Sequence, residues 1–212
     1  MDKSFNLKVQ TDETSLSKTD GVFTIEPLTR GYGITLGNAM RRVLLTSIPG
    51  AAITHVKIEG IDHEFSSIKG VKEDVADIIM NLKAVRFHLF ESSVEPIFLK
   101  IKGPKAFTAA DIQAVSDDFT ILNPTHHITD IAKGTTIEVE LRLGIGKGYK
   151  SSEENKLNNS SVGMIPIDSI FNPVTKVSFN VSPLPGAKED TEMLSLNVAT
   201  DGSISPIDAV SY

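Results

Sequence analysis

The sequence predicts an α+β fold, mainly antiparallel sheets with two principal helices. Three observations predict it. Several segments alternate apolar and polar residues with a period of two, as half-buried strands do. Two segments carry apolar residues at helical spacing instead. Gly, Pro and Asp-Gly pairs punctuate the rest.

Taken in order, Asp20-Gly21 reads as a turn signal beside a strand. A first helix is expected over 36–48, with Thr35 as N-cap and Pro49-Gly50 as the stop. In 54–59, Thr54, Val56 and Ile58 share one strand face. A second helix is expected over 71–83, where Val71, Val75, Ile78, Ile79 and Leu82 form one stripe. Glu73 and Asp74 then fall in its first turn and Lys83 in its last, which suits the helix dipole. Ile97, Leu99 and Ile101 alternate with Phe98, Lys100 and Lys102, and Ile137, Val139, Leu141 and Leu143 with Glu138, Glu140 and Arg142. Residues 144–161, glycine-rich and then Ser/Asn-rich, read as a long exposed loop. Val177, Phe179 and Val181, and later Leu194, Leu196 and Val198, mark two more strands, each expected to have one wet face. Asp201-Gly202 is a second turn signal, and Ser205-Pro206-Ile207-Asp208 has the order of a helix start: cap, proline, then acid. So short a helix is unstable alone, so the sequence is expected to be cut from something longer.

Composition narrows the function classes. The chain has 212 residues, 40% apolar and 23% charged, enough to bury a core without covalent staples. It has no cysteine, which excludes disulfides, thiolate metal sites and a cysteine nucleophile and suits the cytosol. No apolar run reaches the roughly 18 residues of a membrane span, and the start, Met1-Asp2-Lys3-Ser4-Phe5, lacks the order of a signal peptide. A formal charge of −6 with scattered basic residues argues against a nucleic-acid footprint.

The first helix is the informative element. At about 100° per residue, Leu36, Ala39, Met40, Val43, Leu44 and Ser47 fall on one side, enough to dock the helix on its own fold. Asn38, Arg41, Arg42 and Leu45 fall on the other. An aliphatic residue ringed by guanidinium groups is interface chemistry, although single exposed leucines are common. Gly31, Gly33 and Gly37 imply a sharp turn or a close backbone approach nearby.

Residues 23–50, with Arg30-Gly31-Tyr32-Gly33-Ile34-Thr35-Leu36-Gly37-Asn38-Ala39-Met40-Arg41-Arg42 at their centre, closely resemble the N-terminal domain of the bacterial RNA polymerase alpha-subunit family. So do residues 56–75, Asn81-Leu82-Lys83, 146–149, 168–173 and 200–204, in the same order. The resemblance implies a two-part architecture: a discontinuous dimerisation domain of residues 1–50 plus 174–212, and an inserted domain of residues 51–173 for large-subunit assembly. It implies a homodimer formed through the first helix, here Leu36, Asn38, Met40, Arg41, Val43 and Leu44. Arg42 and Leu45 then match the family's beta contact, and Lys83 and Ile167 its beta-prime contact. The implied role is a cytoplasmic, non-catalytic scaffold, an enzyme only as part of the polymerase, with no cofactor and no metal of its own.

The chain departs from the family pattern in two places. An Arg-Gly-Tyr becomes Lys147-Gly148-Tyr149, which loses bidentate geometry, and Pro185-Gly186-Ala187-Lys188-Glu189-Asp190 replaces an Arg-containing segment. The family's second dimer helix, its flexible linker and its DNA-touching C-terminal domain are expected to be absent here, so weak pairing and no direct DNA contact are expected.

Other signals carry less. Gly144, Gly146 and Gly148 lack the nucleotide-fingerprint context. His126 and His127 should point to opposite faces of a strand, and His63-Glu64 lacks partners at ligand spacing. No nucleophile elbow or paired-carboxylate motif occurs. The alternative reading is a nucleic-acid-binding module using Arg41, Arg42 and the lysines of residues 147–156.

Overall fold

A computed structural model describes residues 7–90, 95–156, 162–186 and 190–212. In chain order the elements are β1 (Lys8–Thr11), β2 (Asp20–Thr29), α1 (Tyr32–Thr46), β3 (Pro49–Ile58), α2 (Val75–Lys83), β4 (Phe87–Leu89), β5 (Ile97–Lys102), β6 (Lys105–Thr108) and α3 (Ala109–Gln113). They continue with β7 (Phe119–Ile121), β8 (His127–Ile131), β9 (Thr136–Lys147), β10 (Tyr149–Lys150), α4 (Ser152–Asn155), β11 (Ile165–Pro166), β12 (Ser169–Ile170), β13 (Val174–Pro183), β14 (Thr191–Thr200) and α5 (Pro206–Ser211). Every strand pairing is antiparallel, so the α+β expectation holds. The chain divides into two compact units, Met1–Ile48 with Asn172–Tyr212, and Pro49–Phe171.

The first unit is a four-stranded sheet, β1-β2-β14-β13, with α1 against one face. Its alternating strands bury Phe23 and Ile25, Val177, and Leu194, Leu196 and Val198. Each such side chain contributes about 1.5–3 kcal/mol by leaving water. Asp20-Gly21, read from sequence as a turn, opens β2 instead, because Asp20 pairs with Ala199.

Helix α1 begins at Tyr32, not after Thr35, and ends at Thr46. Gly31 precedes it with φ 85°, a left-handed conformation that costs glycine little. Thr35 lies inside the first turn, its hydroxyl donating back to the Gly31 carbonyl at 3.4 Å. The orphan amides are capped from far away in sequence: the Glu192 carboxylate on β14 accepts from Gly31 N at 2.9 Å and Gly33 N at 3.3 Å. A carboxylate there also meets the positive end of the helix dipole. Glu192→Ala is therefore expected to destabilise this unit by about 1–2 kcal/mol, the usual loss of a cap. That is a melting temperature roughly 2–8 °C lower by calorimetry. An unchanged melt would refute the capping role.

The second unit holds a larger sheet ordered β5-β9-β3-β4-β7, with β11 also paired to β3. Val75, Ile78, Ile79 and Leu82 of α2 join Val56, Ile58, Leu99, Val139 and Leu141 in its core. Helix α2 starts four residues later than the apolar stripe suggests. Asp74 is its N-cap and accepts from Asp77 N at 2.8 Å, while Val71 bridges to Ile131 of β8. β3 is not half-wet either: residues 52–56 are buried on both faces. The expected loop over 144–161 is mostly regular structure. β9 runs on to Lys147, followed by β10 and α4, and residues 157–161 lie outside the described residues. Gly146 belongs to β9, where it pairs with Gly50, and a Cβ there would stand 2.6 Å from the Phe171 ring. Of the divergent 185–190 segment, residues 187–189 likewise lie outside the described residues.

Candidate assembly surface

The inward stripe of α1 is Gly33, Leu36, Gly37, Met40 and Leu44. The glycines set its position. A Cβ on Gly37 would stand 2.5 Å from the Phe179 ring, and one on Gly33 2.7 Å from Val181 Cγ1. The helix backbone thus lies directly on β13. Relative to the sequence wheel, the buried face is rotated toward the glycines, which a hydrophobicity count ignores. Two placements change as a result. Val43, and with it Ala39, is not in the core; Val43 is 53% exposed. Leu45 is not left over for another molecule alone, because it is half-buried and packs on its own unit's core.

The outward arc therefore runs through Thr35, Asn38, Arg42 and Thr46, with Arg41 at one margin. Exposed apolar side chains border it: Tyr32 at 64% and Val43 along one flank, Ile34 at 57% along the other. Among the described residues neither Arg41 nor Arg42 forms an ion pair. Unpaired guanidinium groups beside exposed aliphatic and aromatic surface suit a partner that brings carboxylates and its own apolar area.

In the second unit, Lys83 and Ile167 are joined through a polar cluster. The Lys83 ammonium, at the end of α2, donates to Asp168 Oδ2 at 3.0 Å, and Asp168 Oδ1 accepts from Ser152 N at 2.8 Å. The Ser152 amide, and then the Lys83 ammonium, hold the Asp168 carboxyl below the usual carboxylate range. Ile167 is only 2% exposed, so it does not itself meet a partner. Its backbone does the local work: its amide donates to the Thr54 carbonyl at 2.9 Å, and its carbonyl accepts from Asn155 Nδ2 at 2.8 Å. Buried Asn155 also donates to Ser169 Oγ at 3.0 Å, and Ser169 Oγ donates to the Ile53 carbonyl at 2.8 Å.

His55 completes the cluster, a feature that the sequence shows only as a histidine in a strand. Its Nε2 lies 2.8 Å from the Asn155 carbonyl and its Nδ1 2.9 Å from Thr54 Oγ1. A carbonyl only accepts, so Nε2 carries the proton. Burial, reinforced by the charges of Arg142 and Lys150, pushes the His55 pKa below its ordinary value. The unfolded chain then takes up the proton more readily than the folded one. Stability present above about pH 6.5 is lost as pH falls through the folded value. Melts at about pH 7.5 and about pH 5.5 should show a drop that is smaller in His55→Gln. Equal drops in both proteins would remove His55 from the account.

The remaining candidates are dispersed. His126 Nε2 meets the Asn81 carbonyl at 2.9 Å, whereas His127 Nε2 meets Asp130 at 3.2 Å. His63 Nδ1 lies 3.2 Å from Ser66 Oγ. Arg41 and Arg42 belong to one compact unit and residues 147–156 to the other, where Lys156 is paired with Glu153 at 2.6 Å. Among the described residues no helix is long and apolar enough to cross a membrane.

Comparison with known proteins adds to this geometry. A family model described as "RNA polymerase Rpb3/RpoA insert domain" matches residues 56–172. The chain is 48% identical over 205 residues to the DNA-directed RNA polymerase subunit alpha of Chloroherpeton thalassium, covering 96% of this chain and 62% of that protein. It is 49% identical over 197 residues to the protein of the same name in Salinibacter ruber, covering 92% and 60%. The Chlorobium chlorochromatii protein of that name is 47% identical over 205 residues, covering 96% and 63%. The chain thus spans about three fifths of the length of the curated relatives it matches.

Proposed function

This chain belongs to the RNA polymerase alpha-subunit family, and from that premise we propose that it is a non-catalytic assembly scaffold of a cytoplasmic DNA-directed RNA polymerase. The observation that carries the reading is the outward arc of α1: two arginines without acidic partners among the described residues, bordered by exposed Tyr32, Ile34 and Val43. Two copies pair along this helix, with the apolar flank supplying buried area. Arg42 then receives the beta subunit, and Leu45 supports it from the edge of the helix's own core. In the other unit, the Lys83–Asp168 pair presents a charged rim to the beta-prime subunit. Ile167 acts there from inside, by fixing the segment that holds Asp168.

The division of labour follows from the chemistry. A stable interface needs a desolvated apolar centre with hydrogen-bonding groups at its rim. Helix α1 offers both on one rigid element docked by glycines. Light scattering of the chain over a range of concentrations tests the pairing. Masses rising toward twice the monomer support it, and a monomer at every concentration contradicts it.

A further inference from the structure

Glu73, His127 and Asp130 each offer one ligand atom, and the three atoms lie within 4.8 Å of one another. This set lies apart from the residues given a role in assembly. It is not a purely acidic cluster, since an imidazole stands beside two carboxylates. A backbone irregularity brings it together. β8 pairs Thr129 with Phe107 and then His127 with Thr108, so Ile128 is an extra residue in the strand. In a regular strand His127 and Asp130 would face opposite sides, because their separation is odd. The bulge cancels that, and Ile128 and Thr129 turn inward together while His127 and Asp130 share the outer side.

The distances suit a small ion. His127 Nε2 and Asp130 Oδ1 are 3.2 Å apart. Two ligands on a tetrahedral zinc ion, each about 2.0–2.2 Å from it, stand roughly 3.3 Å apart. Glu73 approaches from the segment before α2, and its carboxylate is already oriented. Glu73 Oε2 accepts from the Thr129 hydroxyl at 2.7 Å and from Asp130 N at 2.9 Å. Such supporting hydrogen bonds fix a ligand before an ion arrives. Lys72 lies on the other oxygen of the aspartate, Oδ2, at 3.3 Å, and its charge opposes a cation.

We propose that Glu73, His127 and Asp130 form a site for a divalent cation of the zinc type, with water completing the coordination. An imidazole with two carboxylates selects zinc over magnesium or calcium, which prefer all-oxygen shells. An ion there would clip the approach to α2 onto β8, where Lys72 N already donates to the Asp130 carbonyl at 3.0 Å.

The test is calorimetric titration of the chain with zinc sulfate, with magnesium sulfate as the contrast. The expected result is a single zinc equivalent that His127→Ala weakens by about tenfold or more. His63→Ala should leave binding unchanged, since His63 sits in a separate loop with Ser66. Lys72→Ala should tighten binding, because it removes the opposing charge. His127 is exposed, so its loss leaves the fold intact, as circular dichroism would confirm. No zinc uptake by the wild-type chain, or equal uptake by His127→Ala, overturns the proposal.

Discussion

Arg42→Ala is expected to leave the melting of the chain within about 0.5 kcal/mol of wild type and to weaken capture of the beta subunit at least about thirtyfold. The first half follows from exposure. The Arg42 side chain stands on the outward arc of α1 and makes no ion pair among the described residues. The second half follows from the cost of an orphaned partner. A carboxylate desolvated against a guanidinium loses its bidentate hydrogen bonds on truncation and stays buried without compensation. Arg42→Lys should fall between, because an ammonium keeps the charge but not the planar fork. Leu45→Ala is a poorer probe. Leu45 packs on its own core, so its loss would lower stability and capture together. Binding measured by titration beside calorimetric melts separates the two effects, and unchanged capture by Arg42→Ala would refute its role.

Gly37→Val should destabilise the first unit by about 1–3 kcal/mol, the usual cost of forcing volume into a filled interface. Substituting a glycine within a helix normally helps, by reducing unfolded-chain entropy and raising helix propensity. Here sterics outweigh that gain. A Cβ would meet three atoms of the Phe179 ring at 2.5–2.7 Å, and the ring cannot yield without disturbing Leu44, Leu196 and their neighbours in the same core. The helix would lift from β13 and carry its outward arc with it, so pairing should weaken as well. Ala39→Val, on the exposed side of the same helix, is the control and should change stability by less than about 0.5 kcal/mol. Equal melts for the two variants would contradict the close approach of helix and strand.

The same glycines explain where sequence reasoning succeeds and where it stops. Strand periodicity is local, so the inward residues of β5, β9, β13 and β14 are legible from alternation alone. The cap of α5 is equally local: Ser205 accepts from Asp208 N at 3.1 Å, as the Ser-Pro-x-Asp order suggests. The wheel of α1 is misaligned because it weighs apolar side chains, while the element seats itself on residues that have none. Its cap is invisible for a different reason, since Glu192 lies 161 positions after Gly31. Helix α2 begins late because Asp74 caps it, while Glu73, just outside the helix, bonds Thr129 and Asp130 of β8. Ile167 looks like a surface position by analogy and is a core residue by packing. Each of these depends on pairs brought together only by the fold, which no window of neighbouring residues contains.

The central claim is that the outward arc of α1 is an assembly surface, first for a second copy and then for a large subunit. The most direct measurement is the mass, by light scattering after size exclusion, of the chain mixed with the beta subunit. A complex of two copies with one beta is predicted. A mixture that elutes as separate components, or a complex of one copy with one beta that forms without any pairing, would contradict it.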